Sequence, residues 1–148
     1  MVTITRVLGH TPAQLRDALR EDDSPQIRYR RAQVATNLVG IAMMALTTLL
    51  QTGLVRNLPE PRSGRIHWKT RKVNTSDEAF SYGGPDSPIN LVAHSVNIVL
   101  ASTGPAHRAR RHPWLPLLAT VTAGAQAAVA AKYLFHQMPY VDRAWCPY

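Results

Sequence analysis

Cysteine occurs once in 148 residues, so no disulfide can form within the chain. Acidic residues are also sparse: nine Asp and Glu stand against 17 Lys and Arg, giving a formal charge of +8. In a soluble protein that excess would suggest nucleic acid. No basic motif interleaved with aromatics accompanies it, which argues against that class, and no metal-ligand spacing is visible. Residues 1–31 lack any apolar run and mix Arg with acids. They are therefore not a cleaved signal peptide, and the first apolar segment must itself serve as the targeting signal.

Long charge-free stretches are what the chain has instead. Its mean hydropathy is slightly negative, but the apolar residues are segregated. Ala32–Val55 and Pro113–Ala131 carry no charge, and Ser87–Ala106 carries only His94 as a titratable group. Each is near the roughly 20 residues that cross a bilayer core of about 30 Å. The expected fold is an all-α membrane protein with spans at about 32–55, 87–104 and 114–135. The charge then sits in tails and loops, where anionic lipid head groups are the expected partner.

Ahead of the first span, Thr11-Pro12-Ala13-Gln14 has the chemistry of a helix start. Thr11 can cap, Pro12 suits the first helical position and Gln14 can reach back. An amphipathic helix to about Arg20 is predicted on the membrane surface, with Leu15, Ala18 and Leu19 on one side. In the first span Asn37, Gly40, Met44, Thr47 and Gln51 form one stripe, which should face other helices. The loop 56–86 should start a short helix near Asn74–Glu78, capped by Thr75 or Ser76. In the second span Ser87, Asn90, His94 and Asn97 fall within an arc of about 80°. A polar stripe on a spanning helix faces the protein interior or a wet cavity. It serves either interhelical hydrogen bonding alone or a ligand. The third span offers Thr120, Gly124, Ala127, Ala128 and Ala131 as a small-residue seam for close helix approach. Lys132 near its end can snorkel. Haem ligation by His94 and His136 is disfavoured by their different depths.

The arginines flanking the spans set the orientation. Arg28, Arg30 and Arg31 precede the first span, and Arg108, Arg110 and Arg111 lie between the second and third. Two spans separate these clusters, so both are expected on the cytoplasmic side, with residues 1–31 a cytoplasmic segment. The loop 56–86 and Trp145–Tyr148 then face outward. The outer loop's own Arg56, Arg62, Arg65, Lys69, Arg71 and Lys72 run against the rule.

The chain closes on Trp145-Cys146-Pro147-Tyr148. Cysteine followed by Pro and an aromatic is how a CPYC redox pair begins. A thiol at a helix start is acidified by the dipole and becomes a better nucleophile. The order of parts matters as much: a charged segment, a span, an outer loop with Lys72–Ala79 and Gly84-Pro85-Asp86-Ser87-Pro88, two spans joined by a basic turn, and the Cys-Pro-Tyr end.

From about Ala32 onward the chain resembles the vitamin K epoxide reductase family, its bacterial branch most of all. The resemblance implies a four-helix bundle enclosing a quinone, in a bacterial plasma membrane. A CxxC pair at the outer edge passes electrons to that quinone, and a thioredoxin-like thiol protein is a possible partner. It makes Cys146 the first cysteine of the pair and Ser76 the loop serine. It sets Asp86, Ser87 and Asn90 at the quinone pocket, and His94, on the same polar stripe, is a further pocket candidate. The second CxxC cysteine, the fourth span and the loop cysteines of the pattern have no counterpart here, so residues 32–148 read as an incomplete domain. Without those thiols, a non-catalytic bundle binding lipid or a protein is the alternative.

Overall fold

The computed structural model describes residues 9–62, 64 and 66–148, and among them the chain is helical with no strand. Helix α1 is Pro12–Glu21. Its capping box forms as expected: Gln14 N donates to Thr11 Oγ1 (3.2 Å) and Thr11 N donates to Gln14 Oε1 (2.9 Å). No residue of α1 is buried, and Leu15, Ala18 and Leu19 are only half-buried.

Three long helices follow. Helix α2 is Pro25–Gln51, begun by Pro25 at a first-turn position where its missing N–H costs nothing. It starts before the first apolar residue and stops short of Val55. The short helix α3, Thr70–Asn74, and a 3₁₀ turn, Glu78–Phe80, sit in the following loop. The sequence predicts a helix start near Asn74–Glu78; the 3₁₀ turn starts there at Glu78, and α3 precedes it. The Thr75 hydroxyl donates back to Arg71 O at 2.8 Å rather than capping forward, and Ser76 Oγ accepts from Ala79 N at 3.4 Å. Helix α4 is Asp86–Ser102, α5 is the basic turn Arg108–Arg111, and α6 is Trp114–Lys132. Helix α6 runs on as a π-helical segment, Tyr133–Asp142, with Pro139 inside it. Proline donates no hydrogen bond and crowds the preceding turn, which suits a widened coil there. The apolar rod thus extends beyond the expected end at Phe135.

Helices α2 and α6 with its extension are long and apolar enough to cross a membrane; α4, with 17 residues, rises about 26 Å. Helix α4 runs antiparallel to both α2 and α6. Arg30 at the start of α2 meets the end of α4, whereas Gln51 at the end of α2 meets Asp86 at the start of α4. Leu100, Leu115 and Ala119 form the apolar core where α4 meets α6.

Polar residues hold the bundle as much as apolar ones. At one end, Arg30 is buried and donates to the carbonyls of Ala101 (2.7 Å), Gly104 (3.0 Å), Thr103 and Pro105 (both 3.2 Å). Arg108 donates to Leu100, Ala101 and Thr103 carbonyls. Two cations on the unpaired carbonyls of a helix C-terminus neutralise its partial negative charge. These two arginines therefore serve the fold, not the lipid contact that their loop position suggests.

The expected seam of α6 is a correction. Thr120, Gly124, Ala128 and Ala131 are exposed, Ala127 is exposed as well, and a side chain at Gly124 would meet nothing within 4 Å. Helix α6 instead turns Leu115, Ala119, Thr122, Gln126 and Tyr133 toward its neighbours. Thr122 and Gln126 both hydrogen-bond Asn97, and satisfying polar groups inside a bundle decides the rotation.

Candidate functional site

The polar stripe of α4 faces inward. Ser87 and Asn97 are buried, and Asn90 and His94 half-buried, while Val92, Val96 and Val99 are exposed. The predicted stripe of α2 meets it, with Asn37, Thr47 and Gln51 buried. His94 Nδ1 lies 2.8 Å from Asn37 Oδ1. Its ring packs against Gly40, where an added Cβ would collide with His94 Cε1, Nε2 and Nδ1. Glycine is needed there for close approach.

Between α2, α4 and α6 lies a cavity of about 570 Å³. Asp86, Ser87, Asn90, His94 and Cys146, all singled out from sequence, line it together. Ser76 does not: its hydroxyl donates to Val73 O at 2.9 Å, and it borders a separate, more open cleft with Lys72 and His136. His94 and His136 are thus on different surfaces, so the haem pairing has no geometric basis.

The end of the cavity nearest Cys146 is a linked set of hydrogen bonds. Asp86 begins α4, where a negative charge is favoured. Its carboxylate accepts from Gln51 Nε2 (2.7 Å) and from the Tyr133 hydroxyl (2.8 Å). Gln51 Nε2 also donates to Asn74 O at 3.1 Å, and Ser87 N donates to Gln51 Oε1 at 3.1 Å. Asn74 Nδ2 then donates to Cys146 Sγ at 3.1 Å.

Cys146 itself is pinned by backbone. After the π-helical segment, Arg143 adopts a left-handed conformation (φ 50°), which costs a non-glycine residue about 1–2 kcal/mol. The chain turns back, and Trp145 pairs with the loop: Trp145 N donates to His67 O (3.1 Å) and Lys69 N to Trp145 O (3.0 Å). Cys146 lies beyond this bridge, in no helix among the described residues. The acidification expected of a helix dipole is therefore missing. Burial pushes the thiol above its ordinary range, and hydrogen bonds, that from Asn74 among them, pull it partly back.

The end of the cavity away from Cys146 holds a second polar group. Asn97 Nδ2 donates to Gln126 Oε1. Gln126 Nε2 is buried without a hydrogen-bond partner among the described residues. Neither Gln126 nor Tyr133 was given a role by sequence reasoning. The available signal was an amide and a phenol in an otherwise apolar span, a rarity that marks interior positions. Met44, Ala130 and Leu134 supply apolar wall between the two polar ends.

An all-α membrane bundle with its one thiol at the rim of a largely apolar cavity has the layout of a membrane redox protein. The sequence pattern of the vitamin K epoxide reductase family matches residues 32–148, and the chain belongs to that family. The family is in general one of membrane thiol–quinone oxidoreductases. No curated protein and no solved structure matches the chain.

Proposed function

We propose that this protein is a membrane thiol–quinone oxidoreductase that supports disulfide formation outside the cytoplasm, with Cys146 as its reactive thiol. The observation that carries the reading is that Cys146 borders the same cavity as Asp86, Ser87, Asn90 and His94. The cavity's size lies within the usual range of small-molecule sites. Its apolar walls suit a planar ring, and its unpaired amide donor suits a carbonyl oxygen.

The quinone, when bound, supplies a two-electron acceptor. Cys146 and one thiol of a partner protein together give up two electrons and two protons and become one disulfide. A second thiol of the partner then attacks that mixed disulfide, leaving the partner's own disulfide and returning Cys146 to its reduced form. Asn74 favours the thiolate form of Cys146 by donating to sulfur. Asp86 holds the Tyr133 hydroxyl at the cavity wall. A thioredoxin-like protein is the natural source of the partner thiol. α2, α4 and α6 each cross a bacterial plasma membrane. The end carrying Arg30 and Arg108 and residues 1–31 face the cytoplasm, and Cys146 faces outward.

The test is thiol-dependent reduction of a fully substituted quinone by membranes containing the protein. The wild type is expected to reduce it, and Cys146→Ser to fall to the background of empty membranes. Equal rates in both would overturn the proposal. A second reading, a non-catalytic bundle binding lipid or a protein, is favoured by the raised pKa of the sheltered Cys146 thiol. It predicts background rates for both proteins.

A further inference from the structure

The pole of the cavity away from Cys146 poses a question that the thiol chemistry leaves open. Asn97 is 1 % exposed, and its amide nitrogen donates to Gln126 Oε1. That bond fixes which way the Gln126 amide points. The oxygen is used, and the nitrogen, with two N–H groups, is buried and unpaired among the described residues. Neighbouring polar groups do not compete for it. His94 is engaged with Asn37 Oδ1, and Asn37 Nδ2 donates to Gln33 O at 2.7 Å. The Thr122 hydroxyl can add a donor to Asn97 Oδ1, and a chain of hydrogen bonds polarises its last donor. An unsatisfied N–H at membrane depth costs several kcal/mol. Such a donor calls for an acceptor.

Gln126 lines the cavity that Cys146 lines. It is two helical turns from Tyr133, about 10 Å along α6, and Tyr133 is tied to Asp86 at the thiol end. We propose that the Gln126 amide nitrogen seats one carbonyl oxygen of the quinone, so that the ring lies lengthwise with its opposite edge toward Cys146. This rests on the quinone reading above. It adds a selection by redox form. A quinone oxygen only accepts hydrogen bonds, matching a donor-only group. A hydroquinone oxygen carries its own proton and meets that donor less well, so the reduced product is held more weakly.

The experiment uses the full chain in lipid nanodiscs and duroquinone, whose ring carbons are all substituted, with Gln126→Met to keep volume while removing the donor. Equilibrium dialysis should show duroquinone bound five- to tenfold more weakly by Gln126→Met, about the loss expected for one hydrogen bond. The outward-facing Thr120→Val should match the wild type. Infrared spectra of carbonyl-labelled duroquinone should show one carbonyl band lowered in frequency in the wild type, and that band lost in Gln126→Met. Equal affinities and unchanged bands would overturn the Gln126 assignment while leaving the quinone reading intact. Absence of duroquinone binding to the wild type would overturn both. If Gln126→Met fails to fold, the wild-type spectrum decides: two equivalent carbonyl bands contradict the proposal, and one lowered band supports it.

Discussion

Cys146 is sheltered before it is reactive. Because burial raises its pKa, the protonated thiol persists to higher pH than in an unstructured peptide, and the thiolate gains only above that range. Alkylation of Cys146 by iodoacetamide should therefore rise with pH later than alkylation of a cysteine-containing peptide. Asn74 donates to the sulfur, so Asn74→Leu should move the profile further up. A pH–rate profile at or below that of the peptide would contradict the burial argument. Gly40 is the other residue whose role is sharply defined. A methyl there must displace the His94 ring, and Gly40→Ala should lower stability in detergent by about 1–3 kcal/mol, as overpacking does. Thermal unfolding followed by circular dichroism measures this, and an unchanged midpoint would show that the ring moves freely. The sequence singled out Cys146 and His94, but neither the contact between Gly40 and His94 nor that between Asn74 and Cys146 was legible. Both pair residues far apart in the chain.

Helices α2 and α4 were legible because polar residues recur at helical spacing in otherwise apolar segments. Both stripes point inward, as such residues must when the alternative is lipid. Helix α6 misled for the same reason in reverse. Its small residues are numerous and define a seam, but two polar side chains, Thr122 and Gln126, outweigh them and set the rotation. Helix boundaries were also less legible. Polar Pro25–Arg31 continues α2 because Arg30 finds four carbonyl partners across the bundle, which no local pattern announces. Two comparisons test these assignments. Asn97→Leu should lower thermal stability in detergent by about 1 kcal/mol, in line with interhelical hydrogen bonds in membranes. Val96→Leu, at a position 42 % exposed, should leave it unchanged. Equal losses would remove the case for a polar inner face. Arg30→Met should cost about 3 kcal/mol or more, because charged hydrogen bonds are lost and carbonyls are left unpaired. The exposed Arg28→Met should cost little, and the same melting experiment separates them.

At the scale of the molecule, two ends of unlike character are joined by a cavity. One end is closed by Arg30 and Arg108 on the C-terminus of α4; the other holds Asp86, Tyr133, Asn74 and Cys146. The proposed orientation puts the thiol outside the cytoplasm, and the single cysteine makes this simple to check. A membrane-impermeant maleimide should label Cys146 in intact cells without permeabilisation, and labelling only after permeabilisation would reverse the topology. The family and the membrane class were legible from the order of spans, loop and Cys-Pro-Tyr end. The cavity was not, because it is made by three helices and a returning chain end that meet only in the fold. The central claim, that Cys146 passes electrons to a quinone held in that cavity, is tested most directly by an anaerobic single turnover. Purified protein in nanodiscs is mixed with a fully substituted quinone and a monothiol. Hydroquinone is followed by absorbance and the Cys146 mixed disulfide by mass spectrometry. One hydroquinone should appear for each mixed disulfide formed at Cys146; hydroquinone formed with Cys146 still reduced, or no hydroquinone at all, would contradict the account.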